Sequence, residues 1–339
     1  MTSRYNHPDI SAYRMRFSQI ATMMRLPLAE SAEGLDIAFV GVPFDAGTYV
    51  RPGARLGPAQ IREMSRFLRN SNPATLVQPF ELCQIADLGD APVNTMNTER
   101  TLKEIKDFFA DLAKKGVVPL ALGGDHTIPY LILEGMKSGG FLTKPVGLVQ
   151  FDAHADVLTS DSDVFDGEEI NHGTFVRLAI EKGLVDPKRS VQLGLRGGQY
   201  SPDANRFAAD AGVRMIYQHA FDELGMAATI QEIRRVTGEG PVYLTIDVDG
   251  LDPSICPGTG YPEPGGFTMR EMQAILRGLR GIDLIGGDVS EVSPPFDPSG
   301  MTALNAAHLL FEMLCLAAER VAVKKGRLPQ PEVTQPNKR

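Results

Sequence analysis

Three short acidic motifs, each placed directly after an apolar stretch, constrain this chain more than any other feature. They are Gly-Gly-Asp-His at 123–126, Phe-Asp-Ala-His-Ala-Asp at 151–156 and Ile-Asp-Val-Asp at 246–249. In a parallel sheet the residues that follow the carboxyl ends of the strands meet along one edge, where ligands bind. The motifs therefore bring together six side chains that can ligate metals: His126, Asp152, His154, Asp156, Asp247 and Asp249.

Six such ligands are too many for one four-coordinate zinc ion, and they fit two adjacent divalent cations that share carboxylates. Residues two apart in an extended run point the same way, which favours this interpretation for both 152–156 and 247–249. A pair of cations serves mainly to make hydroxide near neutral pH, so we expect a metallohydrolase. The simpler alternative is that acidic loops after strands are solvated turns or helix caps. Three such motifs with two histidines favour the metal site.

Apolar runs alternate with amphipathic stretches along most of the chain. Strands are predicted at 35–42, 83–88, 117–122, 146–151, 190–195, 213–217 and 242–246, with another beginning at 284–285. Helices are predicted at 98–115, 226–236 and 305–323. This alternation predicts a single three-layer α/β/α domain with a central parallel sheet. We expect that domain to span 35–323, with an N-terminal arm at 1–34 and a polar, exposed C-terminal tail at 324–339.

Composition narrows the possible surroundings and partners. The net charge of −8 and the lack of a Lys/Arg block argue against a nucleic-acid surface. The three cysteines, Cys83, Cys256 and Cys315, are scattered and suit a reducing compartment. The N-terminal thirty residues have no apolar signal region, and no apolar run of about eighteen residues is evident. We therefore expect a cytoplasmic protein that needs neither a membrane nor a nucleic acid.

The three motifs resemble the signatures of the ureohydrolase family, which contains arginase, agmatinase and guanidinobutyrase. The third motif extends this resemblance through TIDVDGLDPSICPGTG at 245–260. Two further segments, RPGARLGP at 51–58 and SEVSPP at 290–295, look like the agmatinase branch, and QIATMMRLP at 19–27 resembles guanidinobutyrase-type members. The resemblance implies an arginase-like fold, two divalent cations, and hydrolysis of a guanidino C–N bond to urea and an amine.

The resemblance also assigns roles to single residues. One cation would be held by His126, Asp152, Asp156 and Asp247. The other would be held by His154, Asp152, Asp247 and Asp249. The implied catalytic residues are His172, which would carry protons, Glu291, which would pair with the guanidinium, and Asp156. Substrate binding would fall to Glu291, His172 and Tyr261. The simpler alternatives are a loop histidine at 172 and a surface glutamate at 291.

The chain departs from the family pattern on the side of the substrate. Tyr261 stands where the family commonly has Thr, and the loop at 158–170 is unusually acidic. All six metal ligands are intact, so we expect the family's chemistry with an altered specificity. Agmatine, 4-guanidinobutanoate, 3-guanidinopropanoate, free guanidine and a biguanide remain open as substrates.

Cofactor, assembly and function class are also left open. Carboxylate and imidazole ligands suit Mn²⁺ best, while Ni²⁺ remains possible and would bring in a metal-loading accessory protein. The resemblance implies a small guanidino substrate and a homotrimer or homohexamer. A one-zinc amide hydrolase of the related deacetylase fold would need fewer ligands. A non-catalytic partner subunit would be expected to have lost some of them.

Overall fold

The structure, a computed structural model, describes residues 5–9, 15–159, 167–199 and 201–328. These residues are arranged around one eight-stranded sheet with the order β2-β1-β3-β8-β7-β4-β5-β6. Every paired strand is parallel to its neighbour. The strands are β1 (Ile37–Gly41), β2 (Ile85–Asp90), β3 (Val118–Leu122), β4 (Gly147–Phe151), β5 (Val191–Leu195), β6 (Arg214–Tyr217), β7 (Pro241–Asp247) and β8 (Asp283–Ser290).

Helices cover both faces of the sheet. They are α1 (Gly57–Ser65), α2 (Pro79–Leu82), α3 (Thr98–Lys114), α4 (Ile128–Ser138), α5 (Phe175–Glu181), α6 (Arg206–Ala211), α7 (Gln218–Thr237), α8 (Met269–Gly278) and α9 (Met301–Lys324). Apolar side chains of α1, α7, α8 and α9 share one buried cluster, and those of α3, α4 and α5 share another on the opposite face. The central strands are therefore buried on both sides, as their mostly apolar sequences lead one to expect. The predicted three-layer parallel architecture is confirmed.

The sequence predicts the strands better than the helices. All predicted strands are present with small shifts at their ends, whereas the sequence does not predict helices α1, α2, α4, α5, α6 and α8. Helix α7 begins at Gln218 rather than near residue 226, because a non-helical Gly225 (φ 75°, ψ 162°) separates its first turns from the rest. The predicted start coincides with the residue after this break. Asn97 caps α3 by accepting a hydrogen bond from the backbone N–H of Arg100, as the sequence suggests.

The closing helix α9 is the most apolar element of the chain. Its length and its mean hydropathy of 1.5 in the most apolar window would suffice to cross a membrane, which the expectation of no long apolar run overlooked. Of that window, 83% is buried inside the protein. It packs against β8, α1 and α8, so it is a core helix.

The N-terminal arm packs on the domain through backbone hydrogen bonds to buried side chains. The N–H of Met23 donates to Asp87 (2.7 Å) and that of Met24 donates to Ser65 (2.7 Å). Both methionines are fully buried, so they belong to the core. Phe17 and Ile20, which precede them, are more than four-fifths exposed.

Residues 324–326, at the start of the C-terminal tail, are exposed, and ion pairs hold this part of the tail to the domain. Lys325 and Arg327 both pair with the buried Asp36, which lies just before β1. Residues 329–339 of the predicted tail lie outside the described residues.

Arg62 in α1 is nearly buried and forms the ion pair that holds this corner of the fold. It donates to both carboxylate oxygens of Asp87 (2.8 and 3.0 Å) and to Asp90 (2.6 Å). Removing one partner of a buried pair leaves an uncompensated charge. We predict that Arg62→Met lowers the free energy of unfolding in urea by about 3–5 kcal/mol.

Arg100→Met is the matched control, because Arg100 pairs with Glu104 on the exposed face of α3. This variant should lose less than about 1 kcal/mol. Equal losses in the two variants would contradict a special role for the Arg62 pair.

Candidate active site and metal centre

The three acidic motifs converge at the carboxyl edge of the sheet. Strand β3 ends just before the loop of His126, β4 ends just before Asp152, and β7 ends at Asp247. These strands lie close together in the order β3-β8-β7-β4. The structure therefore brings all six predicted ligands to one place. They are His126, Asp152, His154, Asp156, Asp247 and Asp249.

Gly123 and Gly124 allow the loop of His126 to turn tightly into this edge. Both have positive φ (64° and 83°), a conformation that L side chains rarely adopt. A Cβ on Gly123 would lie 2.7 Å from the ring of Pro58, and one on Gly124 would lie 2.5 Å from the carbonyl oxygen of Val42. The motif requires glycine at both positions.

His126 faces three carboxylates through one ring nitrogen. Its Nδ1 lies 2.8 Å from Asp156 Oδ2, 3.0 Å from Asp152 Oδ2 and 3.4 Å from Asp247 Oδ2. This group corresponds to the residues predicted for the first cation.

His154 forms the centre of a second group. Its Nδ1 lies 3.0 Å from Asp249 Oδ2 and 3.6 Å from Asp152 Oδ1. Asp152 thus directs one oxygen to each histidine, which is the geometry of a carboxylate shared between two ions. Asp247 lies beside Asp249 and accepts the backbone N–H of that residue (2.8 Å).

The donor set fits divalent cations. Nδ1 of His126 and Oδ2 of Asp156 are buried and have no hydrogen-bond partner within the described part of the chain. Buried polar atoms are normally hydrogen-bonded, so the lack of a partner for these two neighbouring atoms indicates that both bind a ligand. The ligand atoms are carboxylate oxygen and imidazole nitrogen without thiolate, a set that suits Mn²⁺ and also admits Ni²⁺.

Burial and crowding of like charges shift the pKa values of these carboxyl groups. Burial, together with the charge of Asp152, raises the pKa of Asp156 to about 7. Burial and neighbouring carboxylates also raise the pKa values of Asp247 and Asp249. Burial opposes charge on Asp152 as well, but the neighbouring rings of His126 and His154 outweigh it and hold the pKa of Asp152 below its usual range.

His172 and Glu291, the two predicted substrate residues, contact one another. His172 Nδ1 lies 3.1 Å from Glu291 Oε1, which also accepts the backbone N–H of His126 (2.9 Å). Burial alone would lower the pKa of His172, but the hydrogen bond and charge of Glu291 outweigh it and raise that pKa above its usual value. Glu291 has positive φ (62°) and is 3% exposed, so it is a buried site residue and not a surface glutamate.

A cavity of about 110 Å³ opens above the predicted ligands, five of which line it. Two tyrosines line it, Tyr261 and Tyr49, with ring centroids 6.4 Å apart. The edge of Tyr261 meets the ring of His154, and that of Tyr49 meets the ring of His172, each at 5.1 Å between centroids. Tyr261 was expected near the substrate, whereas Tyr49 was not anticipated.

Arg196 also lines the cavity and was missed by the sequence reasoning. So were Gln150 and Thr245, which contact Asp152 and His126 from behind. Polar residues inside otherwise apolar strands were the available signal for the last two. Tyr49 and Arg196 lie in loops or at a strand end, where no periodicity marks them.

Two neighbouring residues keep supporting roles. Asp125 accepts the backbone N–H groups of Gly47 (2.8 Å) and Thr127 (3.0 Å), so it holds the loops together. Cys256 is fully buried, and burial raises the pKa of its thiol, which excludes it as an activated nucleophile. Of the acidic loop at 158–170, residues 160–166 lie outside the described residues.

Comparison with known proteins gives a consistent picture. A sequence model described as "Arginase family" matches residues 35–315. Guanidinopropionase of Pseudomonas aeruginosa is 45% identical over 322 residues, which cover 95% of this chain and 99% of that protein. Mitochondrial agmatinase of Gallus gallus is 44% identical over 316 residues, covering 93% and 90%. The solved structure of proclavaminate amidino hydrolase from Streptomyces clavuligerus matches with a TM-score of 0.85 and 34% identity, covering 91% of this chain and all of that one.

We predict that Mn²⁺ binding tightens as the pH rises from about 5 to about 8, because the ligands must lose protons before they bind a cation. Asp156 has a pKa of about 7 in the metal-free protein, and the raised pKa of His126 places a further proton in the same group. Titration calorimetry in two buffers of different ionisation enthalpy would measure both the affinity and the protons released. An affinity independent of pH, with no proton release, would contradict this ligand set.

Proposed function

Since the chain belongs to the arginase family and is therefore a metal-dependent hydrolase of guanidino C–N bonds, we propose that its preferred substrate has a tail without negative charge. The products would be urea and the amine of that tail. The observation that carries this proposal is that the hydrogen bonds of Arg196 are all made within the protein. Arg196 is the only Lys or Arg among the described residues that line the cavity.

Arg196 is fully used by the protein itself. Each of its three side-chain nitrogens donates to backbone carbonyl groups, those of Gly194, Asp249, Gly250, Leu251, Glu263 and Pro264. Binding a substrate carboxylate would require these bonds to break and would leave buried carbonyls without partners, which is unfavourable. Arg196 therefore shapes the loops and does not supply a charge for the tail.

The acidic stretch that follows the lining residue Leu158 in the sequence also disfavours an anionic tail. Segment 160–166 follows the lining residue Leu158 closely and contains three aspartates without Lys or Arg. The exposed Glu168 and Glu169 continue this acidic stretch. Like charges brought together at a binding site cost free energy and slow the encounter.

Tyr49 and Tyr261 are suited to a tail that is alkyl or cationic. Their rings flank the cavity at a mutual tilt of 49°. Aromatic faces attract cations and pack well against alkyl groups. This class includes agmatine, alkylguanidines and biguanides, and it also admits free guanidine.

The metal ligands are assigned as follows. His126, Asp152, Asp156 and Asp247 would hold one cation, and His154, Asp152, Asp247 and Asp249 the other. When bound, such a pair lowers the pKa of a shared water and supplies a nucleophile near neutral pH.

Glu291 and His172 would act on the substrate directly. A buried carboxylate is the natural partner of a guanidinium, because it accepts N–H bonds from the planar cation. Since an ionised Glu291 can only accept, the proton of His172 lies on Nδ1 and Nε2 remains the exchangeable position. The raised pKa of His172 favours its protonated form, so Nε2 can deliver a proton to the leaving amine.

Metal identity, assembly and location complete the proposal. The ligand set favours Mn²⁺, with Ni²⁺ and a metal-loading accessory protein as the alternative. We also propose a homotrimer or homohexamer in the cytoplasm. The location is supported by three buried cysteines that are all free.

The charge of the tail can be tested with three substrates of similar length. Agmatine carries an ammonium, n-butylguanidine carries no charge and 4-guanidinobutanoate carries a carboxylate. We predict that kcat/KM for urea release is at least about tenfold lower for the carboxylate than for either of the others, a difference of about 1.4 kcal/mol. The panel should include free guanidine and be run with Mn²⁺-loaded and Ni²⁺-loaded protein.

A preference for 4-guanidinobutanoate would contradict the proposed charge of the substrate tail. It would still be consistent with hydrolysis of a guanidino C–N bond. Increasing salt should reduce the discrimination, because charge repulsion across a solvated cavity is screened.

Tyr261 should influence the choice of substrate more than the metal content. We predict that Tyr261→Thr changes the ratio of kcat/KM values across the same panel, because it removes one aromatic wall. Tyr261→Phe keeps the ring and serves as the matched control, which should retain most of the preference. Bound metal per chain should be the same in all three proteins. An unchanged substrate ratio in Tyr261→Thr would contradict a role for this residue in specificity.

A further inference from the structure

A row of polar side chains crosses four neighbouring strands just beneath the proposed metal site. Gln192 of β5 is in register with Gln150 of β4, Gln150 with Thr245 of β7, and Thr245 with Asp288 of β8. All four residues are 0% exposed. Burying polar groups in the middle of an apolar sheet is unfavourable unless they are hydrogen-bonded, so the row needs an explanation.

One half of the row ends on Asp152. The side-chain nitrogen of Gln192 donates to the carbonyl oxygen of Ala155 (2.7 Å) and to Gln150 Oε1 (2.8 Å). A carbonyl oxygen only accepts, so both amide groups are fixed in orientation. Nε2 of Gln150 is thereby aimed at Asp152 Oδ2 and donates to it at 2.7 Å.

The two oxygens of Asp152 are each held by one protein donor. Oδ2 accepts from Gln150, and Oδ1 accepts the backbone N–H of His154 (2.6 Å). Each oxygen keeps further lone-pair capacity, which faces a different histidine of the site. The amide of Gln150 therefore sets the plane of the carboxylate that both cations would share.

The other half of the row ends on His126. Asp288 accepts hydrogen bonds from Tyr243 (2.8 Å), Ser290 (2.7 Å) and Thr245 (2.9 Å). Because the hydroxyl of Thr245 donates to this carboxylate, its oxygen is left to accept from His126 Nε2, at 2.8 Å.

The bond to Thr245 fixes the tautomer of His126. In the neutral ring the proton therefore lies on Nε2, which leaves the lone pair of Nδ1 on the side of Asp152, Asp156 and Asp247. Histidines that bind metals usually donate their other N–H to an acceptor, which fixes the ring and raises its basicity.

Both halves of the row act on the same group of ligands. We propose that the Gln192–Gln150–Thr245–Asp288 row is a positioning device that orients His126 and one oxygen of Asp152 toward a single cation, the one held on the His126 side. On the His154 side, the row reaches the predicted ligands through the shared Asp152 and through a long hydrogen bond from Gln150 Nε2 to the backbone carbonyl of His154 (3.5 Å), and it does not contact the imidazole of His154. This inference rests on the proposed assignment of the metal ligands.

The test measures Mn²⁺ binding to the full-length chain after chelator treatment, and it needs no substrate. Thr245→Val removes the hydroxyl at nearly constant volume, and Gln150→Met removes the amide while keeping an unbranched chain. Each substitution should lower the affinity for one of the two Mn²⁺ ions by about 10- to 100-fold and leave the affinity for the other unchanged. Electron paramagnetic resonance should then show an isolated Mn²⁺ ion in place of a coupled pair at limiting metal.

Two controls separate positioning from general damage to the sheet. Thr245→Ser keeps the hydroxyl and should restore tight binding of both ions. Val242→Ala removes packing from the fully buried start of the same strand, far from the row, and should leave both affinities unchanged. Gln150→Met breaks only one half of the row, so Mn²⁺ binding to this variant tests the proposal if Thr245→Val does not fold.

Two outcomes would overturn the proposal. One is wild-type affinity for both ions in Thr245→Val and Gln150→Met, and the other is an equal loss in Val242→Ala. A wild-type chain that binds fewer than two Mn²⁺ ions would instead contradict the dinuclear site itself.

Discussion

Negative charge buried at one edge of the sheet is the constraint on which the rest of this structure depends. Four aspartates and Glu291 lie within a region that water scarcely reaches, where repulsion between carboxylates is weakly screened. Protons or cations must compensate such a cluster, because an uncompensated buried charge would cost more than a fold of ordinary stability can offset. In the metal-free protein, this uncompensated charge favours protonation and raises the pKa values of Asp156, Asp247 and Asp249. Two divalent cations would satisfy it and would turn the same charge into a reactive centre.

The sequence predicts this edge well because each part of the signal is local. Short, mostly apolar runs identify β3 and β4, and the acidic motif that follows each run needs only the parallel order of strands to reach the same edge. Helix α3 is equally predictable from its period and its Asn97 cap. Helix α4 was missed because it is buried on most sides and therefore lacks the one-sided apolar pattern of a surface helix.

The substrate side of the cavity is less predictable, since it depends on loops that meet only in the folded chain. Tyr49 lies far from Tyr261 in sequence, and nothing in its local surroundings indicates that the two rings flank one cavity. Arg196 would be taken from sequence alone as a free cation near the site, whereas the fold uses each of its side-chain nitrogens for backbone carbonyls. Relatives that share about 45% identity bear names for different guanidino substrates. That divergence fits a site whose ligands follow strands while its specificity lies in loops.

The polar row beneath the proposed metal site gives residues inside the sheet a role in the site as well. An apolar row would pack as well and would stabilise the fold more, because buried amides and hydroxyls gain little net free energy even when hydrogen-bonded. The row is not fully satisfied either, since Oε1 of Gln192 has no partner among the described residues. Stability alone therefore does not account for Gln150 and Thr245 at these positions. Their contacts run to two ligands that must be aimed accurately, and a β-sheet is the most rigid support that the chain can offer them. The sheet thus does more than deliver acidic residues to an edge, because side chains inside it orient two predicted ligands, His126 and Asp152.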